Sequence, residues 1–193
     1  MPFVDALTVM LIGLASGTAI AGFYFFFAAR KNAEQVKALV YPAFGVGLFN
    51  FISGFVMSFS WPLPGGYNML FGDPQLLFGL FLMIAAYAGH RDPKYLRTGI
   101  LPLLILFLGI YVLAGAYSIV QLKLETGQNL ITAMGLYLSD GIAAVLAPIM
   151  YLNPERGTAK YAYYIMWIIL GIGTVFAMVI GVMGFNEHLA SPP

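Results

Sequence analysis

Apolar residues are gathered along this chain in six long blocks, and the short segments between them hold nearly all of the charge. A transmembrane helix needs about 20 mainly apolar residues to cross roughly 30 Å of hydrocarbon. The blocks predict spans over about 4–29, 39–60, 73–89, 100–121, 130–152 and 163–185. The local punctuation agrees with these limits. Asp73 is placed to cap the third helix, with Pro74 at the first helical position, where a missing N–H costs nothing. Asp92-Pro93 and Asn153-Pro154 close the third and fifth helices. The expected fold class is all-α, a polytopic transmembrane helical bundle forming a single domain over residues 1–193.

Charge then orients the bundle. Arg30, Lys31, Lys37, Arg91, Lys94, Arg97, Arg156 and Lys160, 8 of the 9 basic residues, fall on alternate loops, and only Lys123 falls on the others. Basic loops stay in the cytoplasm, so both termini are expected on the non-cytoplasmic side of the cell membrane. The first block is not a signal peptide, because Asp5 and no cation precedes it. Tyr161, Tyr163, Tyr164 and Trp167 are expected at the cytoplasmic interface and Trp61 at the outer one, as amphipathic rings prefer.

Composition removes several functions. Of 193 residues, 61% are hydrophobic and 9% charged, too little charge to cover a water-soluble globule and too much apolar surface for disorder. A net charge of +1 without a basic cluster argues against nucleic-acid binding. The chain has no Cys, hence no disulfide, iron–sulfur cluster or thiolate zinc. The two histidines, His90 and His188, lie on opposite sides, so a haem held between helix-borne histidines is excluded, and His-Glu-x-x-His is absent. Ten Met scatter over all depths and read as gap-fillers rather than copper ligands. No cofactor and no metal are expected. Enzyme motifs are missing too: there is no Gly-x-Ser-x-Gly, phosphate loop or paired carboxylates on one helix face.

Small residues recur at spacings of three and four: Gly13, Gly17 and Ala21 in the first helix, Gly135, Ser139 and Ala143 in the fifth, and Gly173, Ala177, Gly181 and Gly184 in the sixth. Such stripes let backbones approach closely in lipid, either within the chain or at a subunit contact on the first or sixth helix. Asp140 is the one ionisable residue deep in a span, and a carboxylate there costs about 2.5–3.5 kcal/mol on insertion scales, so it should face the bundle interior. It could bind a cation or relay a proton, or simply hydrogen-bond to a neighbouring helix, with Asn50 the obvious partner at similar depth. Asn50 shares a face with Gly47 and Gly54, and Ser139 precedes Asp140, completing the candidate binding set.

The loop Trp61-Pro-Leu-Pro-Gly-Gly-Tyr-Asn-Met-Leu-Phe-Gly-Asp-Pro-Gln75 has no Lys or Arg. Pro62 and Pro64 stiffen it, while Gly65-Gly66 permits a turn with positive φ. Its apolar residues should fold it back on the bundle as a cap, a gate or a docking surface, with Trp61, Pro62, Pro64, Tyr67, Asn68 and Asp73 as its candidate residues. The run Trp-Pro-Leu-Pro-Gly-x-Tyr-Asn followed by Phe-Gly-Asp-Pro, together with an early Asp in Phe3-Val-Asp5, resembles a prokaryotic membrane-protein family of unknown function. The resemblance implies a stand-alone six-span protein of the cytoplasmic membrane and no particular activity.

Two readings follow. In the first, the protein is an accessory subunit or self-associating scaffold, packing through its stripes and loop in the lipid bilayer into a homo-oligomer or larger membrane complex. In the second, it is a small channel or a proton- or cation-coupled carrier with Asp140, Asn50 and Ser139 at its centre and the loop as a gate. The short loops and sparse polar groups favour the first, which is the expectation; the unpaired carboxyl group favours the second.

Overall fold

The computed structural model describes residues 6–63, 65–155 and 157–190. Phe3, Val4, Asp5, Pro64 and Arg156 lie outside the described residues, as does the side chain of His188. Among the described residues every regular element is helical: α1 (Ala6–Ala29), α2 (Ala33–Ala38), α3 (Val40–Ser60), α4 (Asp73–Arg91), α5 (Tyr95–Thr98), α6 (Leu101–Gln121), α7 (Gly127–Val145) and α8 (Ala159–Ala190). Among the described residues, six helical segments are long and apolar enough to cross a membrane: 7–29, 33–60, 68–91, 101–121, 127–151 and 159–186. The protein is therefore a multi-pass membrane protein. Helices are the economical answer to such sequences, because each satisfies its own backbone groups where no water is available.

Three of these helices end on a non-glycine residue in the left-handed region: Lys31 (φ 58°), Trp61 (φ 51°) and Lys123 (φ 51°). At Lys31 the closing bonds are Asn32 N–H to Phe27 C=O and Lys31 N–H to Ala28 C=O, at 3.0 and 3.1 Å, and Lys123 and Leu124 repeat the pattern at the end of α6. This double bond back onto the last turn satisfies carbonyls that the helix end would leave open. Asn32 then caps α2 by accepting from Gln35 N–H at 3.1 Å.

The six long helices form a ring in the spatial order α8, α1, α3, α4, α6, α7 and back to α8. The tightest neighbours are α3 with α4 and α1 with α8. Gly54 of α3 and Gly79 of α4 explain the first pair: a Cβ at Gly54 would fall on the backbone of Leu76, and one at Gly79 on the backbone of Phe51. Between α1 and α8, the Thr18 and Thr174 hydroxyls hydrogen-bond at 2.9 Å and Phe25 meets Tyr163 edge to face. The small-residue stripes point inward. Gly13 and Gly17 face Phe49, Asn50 and Phe78; Gly181 and Gly184 face Leu11 and Thr8; and Ala177 is fully buried. Intramolecular packing uses these stripes.

Outside, the ring presents large apolar side chains such as Phe44, Phe59, Phe107, Ile131 and Val175. Inside, by contrast, Asn50, Asn68, Gln75, Thr18, Thr132 and Ser139 are buried. This is the inverse of a water-soluble protein and is what lipid selects. Tyr163 corrects one expectation. Rather than lying in an interfacial belt, it is completely buried and donates to the Met150 and Leu152 carbonyls, both at 3.2 Å. Those carbonyls belong to the 3₁₀ turn Ala147–Tyr151, which Pro148 imposes on the end of α7, and to Leu152 that closes it.

Candidate functional site: an apolar cavity with one unpartnered carboxyl group

The ring encloses a cavity of about 200 Å³. It runs from Leu70, Phe71 and Gln75 at one end of the bundle to Val36, Leu39 and Leu96 at the end carrying Arg30, Lys37, Arg91 and Arg97. On α7 the lining residues are Leu136, Tyr137, Asp140, Ala143 and Ala144, one stripe at helical spacing that Ala147 of the following 3₁₀ turn continues. The lining is otherwise almost wholly apolar, with Phe25, Phe78 and Phe81 adding aromatic rings.

Asp140 sits near the middle of the apolar segment Gly127–Tyr151. As a residue it is half-buried and lines the cavity, while its Oδ1 is sealed against α8. The reason is Gly173: a Cβ there would coincide with Asp140 Oδ1 and also stand 3.1 Å from Ser139 Oγ. A hydrogen atom at position 173 is what admits the carboxylate. No donor meets it. Among the described residues, Asp140 Oδ1 is the one buried side-chain oxygen or nitrogen without a hydrogen-bond partner.

Three other polar groups of the lining, Thr18, Gln75 and Tyr137, have their donors engaged. Thr18 Oγ1 bonds the Leu14 and Ala15 carbonyls as well as Thr174. Gln75 Nε2 donates to the Met10 carbonyl at 2.9 Å and to Asn50 Oδ1 at 2.7 Å. The Tyr137 hydroxyl donates to the Leu70 carbonyl. That last bond has a covalent cause, because the residue four positions after Leu70 is Pro74, which has no N–H to return. The chain there adopts a π turn, Asn68–Gly72, before α4 begins.

The family described as "Protein of unknown function (DUF981)" matches residues 1–191. The chain belongs to this family. No match is found among curated proteins or among solved structures. The DUF981 assignment agrees with the resemblance to a family of unknown function, and its description carries no activity with it, so chemistry has to come from the arrangement of residues.

In this DUF981 chain the three sequence-derived binding candidates do not converge. Ser139 turns back on its own helix, donating to the Gly135 and Leu136 carbonyls. Asn50 is fully buried but is not Asp140's partner; it donates to the Gly13 carbonyl at 3.0 Å and accepts from Gln75, tying α1, α3 and α4 together. Similar depth in the membrane proved to be no guide to contact, since α3 and α7 are separated in the ring by two helices on one side and two on the other. Gln75, the member of that network which also lines the cavity, stood in the sequence only as the end of the loop. Its position directly after Asp73-Pro74, in the first turn of a span, was the available signal.

The Trp61–Gln75 loop closes over this end of the DUF981 bundle. Asn68 organises it: fully buried, it accepts from Leu63 N–H at 2.8 Å and donates to the Leu63 carbonyl at 2.5 Å. The Tyr67 hydroxyl donates to the Leu124 carbonyl at 2.8 Å, reaching the α6–α7 loop; burial, then the neighbouring Glu125, holds that phenol above its ordinary pKa. Asp73 does not cap α4. Its carboxylate accepts from Ser58 at 2.6 Å and Tyr111 at 3.0 Å, joining α3, α4 and α6, because the π turn already supplies the backbone bonds a cap would satisfy. Trp61 and Pro62 remain exposed.

Proposed function

We propose that the protein is a small membrane carrier, oriented with both termini on the non-cytoplasmic side, in which a solute in the central cavity is coupled to proton or cation exchange at Asp140. The observation that carries this reading is the carboxyl group without a partner on the wall of an internal cavity. An ionisable side chain at this depth is costly to insert and ordinarily finds a partner from a neighbouring helix. Here a glycine makes room for it, and no donor satisfies it.

The basic residues on alternate loops support the orientation. The apolar lining favours a carrier over an open channel, since a hydrated ion would cross that wall without polar groups to replace its water. The Trp61–Gln75 loop, held by Asn68, Tyr67 and Asp73, would be the gate at the outer end, and opening would require the Tyr67–Leu124 bond to break. The small-residue stripes through which a scaffold would self-associate have neighbours inside the chain instead.

Proteoliposomes holding a pH-sensitive dye test the proposal. With a pH gradient imposed, a panel of inorganic cations, amines, organic anions and neutral solutes is added outside. At least one class should release protons in a saturable way, and Asp140→Asn should abolish that release while elution volume and helicity stay unchanged. Absence of solute-dependent proton movement with every class, from protein inserted and folded, would refute the carrier.

A further inference from the structure

The same site narrows the chemistry of its ligand, an inference that rests on the carrier reading. A lone carboxylate in a low-dielectric cavity attracts a positive charge more strongly than it would in water. No Lys, Arg or His stands in the cavity lining to provide one. The ligand must therefore bring its own.

A bare metal cation fits poorly. Such ions take several oxygen ligands, six or so for the hard divalent ions, and the described residues contain no cluster of three His, Cys, Asp or Glu. Around Asp140 the lining offers Leu136, Ala143, Ala144 and Leu170 instead of oxygens. What fits is a cation whose remaining surface is hydrocarbon. An ammonium supplies both the charge and the N–H donors that Asp140 lacks, and the apolar lining removes an attached alkyl or aryl group from water. The rings of Tyr24, Phe78, Phe81 and Tyr137 are also surfaces that cations favour. The cavity of about 200 Å³ lies below the roughly 300–1,000 Å³ typical of drug-sized ligands, so the amine is small.

We propose that Asp140 and the surrounding apolar cavity bind a small protonated amine carried on a hydrocarbon body. The exchange balances in charge: a neutral Asp140 carboxyl group that receives an ammonium ion releases one proton, leaving a carboxylate–ammonium pair. An amine moving one way and a proton the other then share a single site, and a neutral molecule of the same shape has nothing to exchange.

Calorimetry on the purified full chain in detergent separates the outcomes, with phenethylamine as probe and the uncharged phenethyl alcohol as its match. The amine should bind saturably and release about one proton, read from the dependence of the heat on buffer ionisation, while the alcohol should bind at least tenfold more weakly. Asp140→Asn should lose at least tenfold in amine affinity, and Asp140→Glu should keep part of it. Equal affinity for amine and alcohol in the unmodified protein would overturn the proposal without relying on any variant to fold. Displacement of the amine by millimolar sodium or potassium would overturn it in favour of an inorganic cation site. Liposome flux distinguishes the two levels of failure: amine binding without proton release by any solute class sinks the carrier and leaves the site, whereas proton release with another solute class and no amine binding sinks the amine and leaves the carrier.

Discussion

Tyr137→Phe is the substitution whose cost can be worked most directly from the structure. It deletes one hydroxyl, which donates to the Leu70 carbonyl beside the cavity. Hydrogen bonds between membrane helices average about 0.6 kcal/mol and reach about 1.7 kcal/mol. A buried acceptor left without its donor costs about 1–3 kcal/mol. Tyr137 is buried and the proline at position 74 denies Leu70 its ordinary helical donor, so the loss should fall at about 1–2 kcal/mol. The structure makes a sharper statement about coupling. In a Pro74→Ala background a backbone N–H exists four residues after Leu70, and the regular helical bond can replace the phenol. Tyr137→Phe should then cost less than about 0.5 kcal/mol, giving a coupling of about 1 kcal/mol between positions 74 and 137. Reversible unfolding in mixed micelles by SDS, followed by circular dichroism for the four proteins of the cycle, measures it. A Tyr137→Phe cost that is the same in both backgrounds, within the ~0.3 kcal/mol scatter of independent sites, would show that Leu70 does not depend on Tyr137 in the way argued.

Three further outcomes are expected. Gly171 and Gly173 are two positions apart on α8, yet a Cβ meets nothing within 4 Å at Gly171 and the Asp140 carboxylate at Gly173; Gly171→Ala should be neutral or stabilising by up to about 1 kcal/mol, and Gly173→Ala should cost about 1–3 kcal/mol, both by the same unfolding assay, with equal effects refuting the glycine–carboxylate contact. Lys123→Gly relieves a left-handed residue at the end of α6, worth about 1–2 kcal/mol, against about 0.5–1 kcal/mol of added freedom in the unfolded chain, so the variant should equal or slightly exceed the parent in stability; a clear loss would mean that the Lys123 side chain does something else. Asp92 is held below its ordinary value of 3.8, first by the Lys94 N–H and then by the Lys94 side chain; its contribution is present above that value and disappears as pH falls through the lowered one, so the Lys94 amide resonance should titrate below pH 3.8 in the parent and not in Asp92→Asn, and a titration midpoint above 3.8 would contradict the geometry.

Hydropathy made the membrane class and the six helices legible, because a span of apolar residues has few other folded options. The carboxyl group at Asp140 also stood out, as any charge in a field of leucine must. Pairing was hidden. That Gly173 is the counterpart of Asp140, or that Tyr137 answers the absent N–H of Pro74, depends on which helices are neighbours in the ring, and periodicity within one helix reports a face without naming what lies opposite. The small-residue stripes show the same limit: their spacing marked close approach correctly, but whether the approach was to α1, α3 or another copy of the chain was not written in it. Gln75 was obscured by a boundary, since a residue assigned to the end of a loop is not weighed as part of a buried network.

The ring order carries a consequence for how the protein is made. The principal neighbour of α1 is α8, and more than a hundred residues of chain lie between them. During synthesis α1 enters the bilayer with Gly13, Gly17 and Thr18 exposed to lipid, and Thr18 acquires Thr174 only after the six intervening helices α2–α7 have emerged. α3 and α4, adjacent in both sequence and space, can form a hairpin at once. Biogenesis should therefore proceed from that hairpin outward, with the earliest helix waiting longest for its mate, and a ribosome stalled before α8 would leave behind an open crescent in which the groove that becomes the cavity still faces the membrane.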